Sequence, residues 1–582
     1  MKAIHKILIA GLALCAISAC NEKEFLTEEP LSIYSTENAL VSQSDYQAFV
    51  NHLYAYIKVC LLDVNDEKIT INLRGCNDYA WYSSDVTFKN GVGVEKMKNN
   101  DIATWITASS TDFGKRFHYW WNLICNANVV ISRIDNATFA ESARNVMKGE
   151  ALFARSWAYT MLAHLYGGMP LIAEEVATPS REYTRETREA TYQFALKGFK
   201  EAADLLPNID KAGDGKMNKQ ICQHFMSEIS ICLKDYASAI SYADQVINYS
   251  GCSLVTERFG ALKDKPGDVY WDLFRMNNTN YSSGNHEGLY VYQVDYENAA
   301  STNGNGLDAD YLVREFNPRY IKMAINYNGK AISPFTSYAV VGLCGRAYGY
   351  LHPTDHFLND IWEGMDGDIR NSEYNIIRDV RCNNKKSADT YGKWFIADGI
   401  YDEAVKNGYE PRSMYWWPFL TKVANTIYDW PENEKYSPYT EDEFYLCRAN
   451  ETNTTTQGRD HSHKDWYMVR LAETYLLRAE AKVLKGDASG AAADINVLRK
   501  RASAPLVNGT VDLDYVLDER MRELYCEEHR TITLMRMGKY CDRTGKYNPV
   551  TCNFDSHNEL WPIPYHVIEN NVLATFDQNP GY

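Results

Sequence analysis

The sequence has little positive charge for its size and few long apolar runs. Lysine and arginine number 60 against 76 aspartate and glutamate residues, which gives a formal net charge of −16. Affinity for nucleic-acid phosphates comes from lysine and arginine, so this charge balance argues against nucleic acid as a partner. After residue 19, no apolar segment approaches the roughly 20 residues that a membrane-spanning helix needs.

The sequence also lacks the short motifs of common enzymes and metal proteins. Its 14 cysteines include no C-x-x-C pair, which argues against a structural zinc site and a redox dithiol. Zincin (H-E-x-x-H), hydrolase (G-x-S-x-G) and phosphate-loop (G-x-x-x-x-G-K-[ST]) patterns are absent. We therefore predict no enzymatic activity, no catalytic residue, no metal and no cofactor. A surface glycoside hydrolase stays open as a distant alternative, since such an enzyme needs only two suitably spaced carboxyls.

The amino-terminal segment predicts export and attachment to a membrane by lipid. Lys2 and Lys6 precede an apolar stretch over residues 7–19, which is too short to span a bilayer. Residues 17–20 (ISAC) resemble a bacterial lipobox, in which a fatty acyl group such as palmitate is attached to the cysteine. We predict a lipoprotein signal peptide over residues 1–19, and an acylated Cys20 with a polar tether over residues 20–30.

Helical periodicity dominates both ends of the remaining chain. Apolar residues recur every four positions from Phe153 to Leu165 and form one stripe, which Gly167 and Gly168 end. Further helices are predicted over residues 46–61 and 119–134, and over 192–206, where Pro207 stops the pattern.

A weak internal repeat indicates how these helices are arranged. Residues 233–239 (LKDYASA) and 484–491 (LKGDASGA) each join the end of one helix to an alanine-rich helix. This pattern resembles the tetratricopeptide helix hairpin, whose copies stack into a superhelix. We predict a mainly α fold forming a single domain over residues 31–582. Helical hairpins lie at about 40–250 and 466–540, and an irregular ligand-binding insertion with short strands, such as residues 289–295, lies at about 251–465.

Aromatic residues mark candidate binding surfaces, because 42 tyrosines and 13 tryptophans are unusually many. Rings alternate with polar side chains over residues 77–85, and further rings are scattered along the insertion, among them Tyr348 and Tyr350. Rigid rings beside hydrogen-bonding groups suit sugars, which have apolar faces and hydroxyl rims. The predicted ligand-binding residues are Asn77, Asp78, Trp81, Tyr82, Trp105, Trp271, Tyr281, Trp416 and Tyr428. We expect Trp81 and Trp271 to contact ligand and to contribute little to stability.

Motifs spread over nearly the whole chain make the sequence resemble the SusD/RagB family of outer-membrane nutrient-binding lipoproteins. The lipobox is followed by Phe25 and Leu26, and the remaining motifs occur in the family's order: 149–159 (GEALFARSWAY), 165–172 (LYGGMPLI), 368–376 (DIRNSEYNI), 469–481 (VRLAETYLLRAEA), 518–524 (DERMREL), 528–530 (EHR), 561–564 (WPIP) and 578–582 (QNPGY). Residues 531–534 (TITL) depart from the family's usual Trp-Phe-Asp-Leu.

The resemblance implies both a place and a role in the cell. Members of the family are helical proteins, lipid-anchored at the outer membrane and facing the exterior. They capture an oligosaccharide and deliver it to a SusC-like TonB-dependent barrel transporter. Some members hold a peptide instead, which we keep as the alternative. The Glu and Arg residues within the motifs are expected to form ion pairs at helix contacts, namely Glu150, Arg155, Arg470, Glu473, Arg478 and Glu480.

Overall fold

A computed structural model describes most of the chain. It covers residues 40–62, 73–82, 112–176, 178, 180–294, 312–335, 343–344, 347–411, 413, 415–426, 464–550 and 554–582. The predicted signal peptide, Cys20 and the tether lie outside these residues.

Helices make up most of the described chain, which confirms the mainly α prediction. They are α1 Gln43–Leu62, α2 Asp112–Arg133, α3 Glu141–Tyr166, α4 Arg188–Leu205, α5 Ile209–Ala212, α6 Lys219–Cys232, α7 Tyr236–Ile247, α8 Val269–Asp272, α9 Leu312–Phe316, α10 Asp355–Leu358, α11 Ile400–Lys406, α12 Leu471–Lys485, α13 Ala488–Arg501, α14 Leu513–Leu524, α15 Arg530–Met537, α16 Tyr540–Tyr547 and α17 Tyr565–Asn570. The predicted end of α3 is confirmed, since Gly167 follows it with a φ of 86°.

Strands are short and form two-stranded antiparallel sheets. They are β1 Ala80–Tyr82, β2 Gly288–Tyr292, β3 Ile325–Tyr327, β4 Lys330–Ile332, β5 Leu343–Cys344, β6 Leu351–Pro353, β7 Ile376–Ile377, β8 Phe419–Leu420, β9 Asn425–Thr426 and β10 Trp466–Arg470. The pairs are β1 with β6, β2 with β10, β3 with β4, β5 with β9, and β7 with β8. The β2–β10 pair carries a bulge between Tyr467 and Val469.

The long helices form one continuous stack. Helix α1 packs on α2, α2 on α3, and α3 on α4. Helix α4 packs on α6, and α6 packs on α7. Helix α7 then packs on α12, which continues to α13 and α14. The two halves of the helical repeat are therefore neighbours in space, although more than 200 residues separate them along the chain.

The two repeat turns are built alike. Asp235 caps α7 by accepting the backbone N–H of Ser238, and Asp487 caps α13 by accepting that of Gly490. The residue before each cap has a left-handed backbone, which suits Gly486 at a φ of 90°. Lys234 occupies the equivalent position at a φ of 61°.

The two largest of five hydrophobic clusters among the described residues lie beneath these elements. The larger one runs through the helical stack and includes Trp157 and Trp561. A second core belongs to the segment between α8 and β10 and surrounds Tyr320, Phe395 and Trp416.

A buried network of charges joins this segment to the helical stack, and we call it the ionic seam. It comprises six cationic side chains, Arg370, Lys422, Arg470, Arg499, Arg501 and Arg522, and five carboxylates, Glu287, Asp368, Glu519, Glu523 and Glu527. Arg370 alone contacts Asp368, Glu519 and Glu523 at 2.6–3.2 Å. Burial tends to raise the pKa of Glu519 and Glu523, but the surrounding guanidinium groups lower each pKa to about 2.

The ion pairs expected from the motifs are present for four of the six residues. Arg470 belongs to the ionic seam, and Glu473, Arg478 and Glu480 pair with Arg520, Asp494 and Arg536, respectively.

The other two residues correct the expectation. Glu150 accepts a hydrogen bond from the Tyr54 hydroxyl at 2.6 Å, and Arg155 donates to Asn128 and to the carbonyl of Ala173. Both are held by neutral partners, so the motif around them stabilises helix packing without an ion pair of its own.

Candidate ligand-binding site

The loop before β1 is held rigidly from inside the protein by Asn77. Its side-chain amide donates to the carbonyl of Arg74 and to the Thr531 hydroxyl, and its oxygen accepts the backbone N–H of Tyr79. The side chain is completely buried. Asn77 therefore has an interior structural role that fixes the start of β1, and its predicted contact with ligand stays a prediction.

Asp78 is equally buried and anchors the same loop through charge. Arg530 donates two hydrogen bonds to its carboxylate at 2.7 and 2.8 Å, and Arg543 donates a third at 2.6 Å. Burial acts to raise the pKa of Asp78, but the two guanidinium groups hold it well below its usual value. Asp78 thus positions β1 from the interior.

Trp81 lies on β1 at the centre of a cross-strand aromatic stack. Its register partner on β6 is His352, and the two rings stack with centroids 4.3 Å apart and an interplanar angle of 12°. The ring of Trp417 packs on His352 at 4.7 Å and donates its indole N–H to the carbonyl of Phe316. Trp81 is only 2% exposed, which contradicts the expectation that it contributes little to stability.

Two tyrosines just before His352 are more accessible. Tyr348 and Tyr350 are partly exposed, and their rings stack with centroids 5.5 Å apart. The guanidinium groups of Arg314 and Arg319 lie 5.1 and 4.8 Å from the Tyr348 ring centroid. We call the set Trp81, Arg314, Arg319, Tyr348, Tyr350, His352 and Trp417 the aromatic face.

Backbone hydrogen bonds hold the tyrosines of this face in place. The N–H groups of Tyr348 and Tyr350 both donate to the carbonyl of Arg314, and that of Gly349 donates to the carbonyl of Asn317. The segment before β6 is thereby fixed against the end of α9. Gly349 has a φ of 68°, a conformation that favours glycine.

The other predicted residues occupy separate surroundings. Trp271 lies on α8, is 6% exposed, and has the guanidinium of Arg275 4.6 Å from its ring centroid. Its burial also contradicts the expectation of a small contribution to stability. Tyr281 is partly exposed and stacks on His286 at 4.5 Å.

Trp416 belongs to the second core. Its ring packs 4.5 Å from Phe395 and 5.4 Å from Tyr320. Trp105 and Tyr428 lie outside the described residues. Tyr82 ends β1, and its side chain is likewise outside the description. For all of these positions, ligand binding stays a prediction.

Sequence reasoning missed three members of the aromatic face as site residues: Arg314, Arg319 and His352. A usable signal was present, because Tyr348, Tyr350 and His352 alternate with other residues at the two-residue period of a strand. The role of the arginines depends on α9 and the 348–350 segment meeting in space, which no local pattern indicates.

The described residues give no sign of a metal centre or a membrane helix. Among them, no group of three or more histidine, cysteine, aspartate or glutamate side chains could hold a metal ion. None of the described helices combines the length and apolar character that crossing a bilayer requires. What the aromatic face offers chemically is flat ring surface beside guanidinium donors.

Two protein-family models together match most of the chain. Residues 275–582 match the model of the SusD family. Residues 26–227 match a second model described as starch-binding associating with outer membrane.

Individual relatives agree with these matches. The starch-binding protein SusD of Bacteroides thetaiotaomicron is 36% identical over 143 residues, which cover 22% of this chain and a quarter of that protein. The SusD-like protein P38 of Formosa agariphila is 22% identical over the full length of both chains.

Solved structures share the fold at low sequence identity. A laminarin-binding SusD-like protein superposes with a TM-score of 0.66 at 18% identity, covering 93% of this chain and all of the other. Surface glycan-binding protein A of Bacteroides thetaiotaomicron, in complex with laminarihexaose, gives a TM-score of 0.63 at 18% identity, covering 92% and 99% of the two chains. With a family model matching more than half of its length and a shared fold over nearly all of it, this chain belongs to the SusD family.

Proposed function

We propose that the protein is a cell-surface glycan-binding lipoprotein that captures oligosaccharides through its aromatic face. The observation that carries this proposal is the stacked pair of Tyr348 and Tyr350 beside the guanidinium groups of Arg314 and Arg319. Tyrosine rings provide flat apolar area for the C–H face of a sugar, and guanidinium groups donate hydrogen bonds to its hydroxyls. The relatives described as binding starch, laminarin and surface glycans support the same ligand class.

The proposal includes the fate of the ligand and the place of the protein. An acylated Cys20 anchors the protein at the outer membrane, and the captured oligosaccharide passes unchanged to a SusC-like TonB-dependent transporter. Membership in the SusD family and the match to a model described as associating with the outer membrane support this part. No chemistry on the sugar is required of the protein.

A binding screen tests the proposal. The purified protein is titrated calorimetrically with starch, laminarin and other neutral oligosaccharides, and in parallel with a mixture of short peptides. We expect at least one oligosaccharide to bind, and chromatography of the recovered ligand to show that it is intact. Binding of peptides alone would favour the peptide-binding alternative, and cleavage of the sugar would establish a hydrolase.

Two matched variants locate the site. Tyr350→Ala removes a ring of the aromatic face, whereas Tyr565→Ala removes one that is 51% exposed on α17. Loss of a stacking ring is expected to weaken oligosaccharide binding about tenfold, and Tyr565→Ala is expected to leave it unchanged. Equal affinities for both variants would place the sugar elsewhere.

A further inference from the structure

A second pocket lies between the helical stack and the segment that follows α7. Its volume is about 860 Å³, within the range of small-molecule sites. The ends of α7, α12 and α13 form one side, and residues 252–269 with Ile369 form the other. No residue of the aromatic face lines it. We call it the seam pocket, because Arg501 of the ionic seam forms part of its wall.

The apolar wall of the seam pocket is aliphatic. It consists of Ile247, Leu254, Val269, Ile369, Leu471 and Val497, and the aromatic ring of Tyr475 joins them. Stacks of flat rings, which suit sugars, are missing from this lining. A flexible alkyl chain fits such a wall better, because each buried methylene contributes about 0.8 kcal/mol without requiring a particular orientation.

Cationic groups lie at one side of the pocket. Lys500 is exposed there, and its Nζ makes no hydrogen bond or ion pair with the described residues. Arg501 is buried and its Nη groups pair with Glu287 and Glu523, whereas its Nε has no hydrogen-bond partner among the described residues.

The ionic seam behind Arg501 carries an excess of positive charge. Its six cations face five carboxylates, and all of these side chains are almost completely buried. Burial lowers the pKa of Lys422 to about 8, so this ammonium group is still mostly protonated at pH 7. Every cation of the seam has a carboxylate partner, so an anion beside Arg501 would offset only the excess of one charge.

Two other charged residues of the lining are already satisfied. Arg258 donates to the carboxylate of Asp272 at 2.5 Å. The carboxylate of Asp268 accepts hydrogen bonds from Ser372 and Asn375. Both are held by side chains that do not line the pocket, which leaves Lys500 as its accessible cation.

We propose that the seam pocket binds an alkyl carboxylate of medium chain length. Its carboxylate lies against Lys500 and Arg501, and its alkyl chain lies along the aliphatic wall. This site is separate from the aromatic face and does not depend on the proposed function.

Calorimetric titration of the purified protein with sodium octanoate tests this proposal. Octan-1-ol serves as the uncharged match and sodium glucuronate as a polar carboxylate. We expect octanoate to bind more tightly than either. Failure of octanoate to bind, or binding of octan-1-ol or glucuronate at equal affinity, would overturn the proposal.

Charge reversal at the pocket provides the matched variants. Lys500→Glu is expected to weaken octanoate binding by about fivefold or more, since it replaces the accessible cation by an anion. Lys485→Glu changes the net charge equally at the exposed end of α12, where it does not line the pocket, and is expected to have no effect. An equal loss in both variants would mean that overall charge, and not this pocket, governs binding.

Discussion

The ionic seam and the aromatic face differ in burial and in their relation to the family motifs. Every charge of the seam is buried and paired, and Arg370 pairs across the boundary between the insertion and the helical stack. Six of the seam's eleven members come from family motifs such as residues 368–376 and 518–524. The aromatic face consists of residues outside those motifs, and its tyrosines are partly exposed. The motif residues of the seam therefore stabilise the fold, whereas the two tyrosines, which lie outside the motifs, are accessible to a ligand.

This contrast also shows where stability and binding overlap. Trp81 and Trp417 pack on His352 and are buried, so they belong to the aromatic face but also to the interior. Substitutions can separate the two roles, and we order them from the largest expected effect to the smallest.

Arg370→Met tests the seam most directly. Removing this guanidinium leaves Asp368, Glu519 and Glu523 without a shared buried partner, and we expect a loss of about 3–5 kcal/mol in unfolding free energy. Chemical denaturation measures it. The control, Lys330→Met, removes an exposed pair with Asp389 and should cost less than about 1 kcal/mol. Similar losses in both variants would contradict the special role of the seam.

Trp81→Ala is expected to affect stability and binding together. The substitution removes the ring stacked on His352 and leaves a cavity, which costs about 3 kcal/mol or more. His352 lies two residues after Tyr350 on the aromatic face, so loss of its stacking partner should also lower the affinity for an oligosaccharide. Thermal unfolding and calorimetry measure the two effects, and an unchanged melting temperature would show that Trp81 is not buried in solution.

Acidification should weaken the seam and spare the contacts between neutral rings. Because the pKa values of Glu519 and Glu523 are lowered to about 2 in the folded state, their contribution to stability is present above their ordinary pKa near 4.5. It is lost progressively as the pH falls from about 4.5 towards 2. Denaturation between pH 7 and pH 3 measures this dependence, and Glu519→Gln should flatten it. An identical slope in that variant would assign the acid sensitivity to other carboxylates.

Arg319→Met sharpens the assignment of the aromatic face. Arg319 is partly exposed, and its guanidinium lies 4.8 Å from the Tyr348 ring centroid, so its donors can reach a sugar bound on that ring. We expect oligosaccharide affinity to fall about fivefold, with little change in stability. Lys322→Met removes the same charge from an exposed position three residues away and should leave affinity unchanged, as calorimetry would show.

The smallest effect is expected in the repeat turns. Lys234→Gly places glycine where the backbone is left-handed, and we expect a gain of up to about 1 kcal/mol. The reverse exchange, Gly486→Lys, should cost a similar amount at the equivalent turn. Thermal unfolding measures both, and a loss of stability in Lys234→Gly would show that the lysine side chain makes a compensating contact.

The helical part was predictable because its signals are local. The stripe from Phe153 to Leu165 and the glycines after it fix α3, and the repeated Lys-Asp and Gly-Asp turns mark two hairpins. The site was harder to predict from the sequence, because the surroundings of Trp81 depend on His352, which lies 271 positions further along the chain. Alternating rings and polar residues over 77–85 look like a surface, yet Asn77 and Asp78 turn inward to meet α15 and α16.

The packing of α7 on α12 has a consequence for how this architecture can diversify. Since these helices touch and β2 pairs with β10, the chain leaves the stack and returns to it at nearly the same place. The parts of the intervening segment that contribute no side chain to the ionic seam can therefore be lengthened or shortened during evolution without opening the superhelix. New ligand preferences can arise in that segment while the scaffold around it is inherited unchanged.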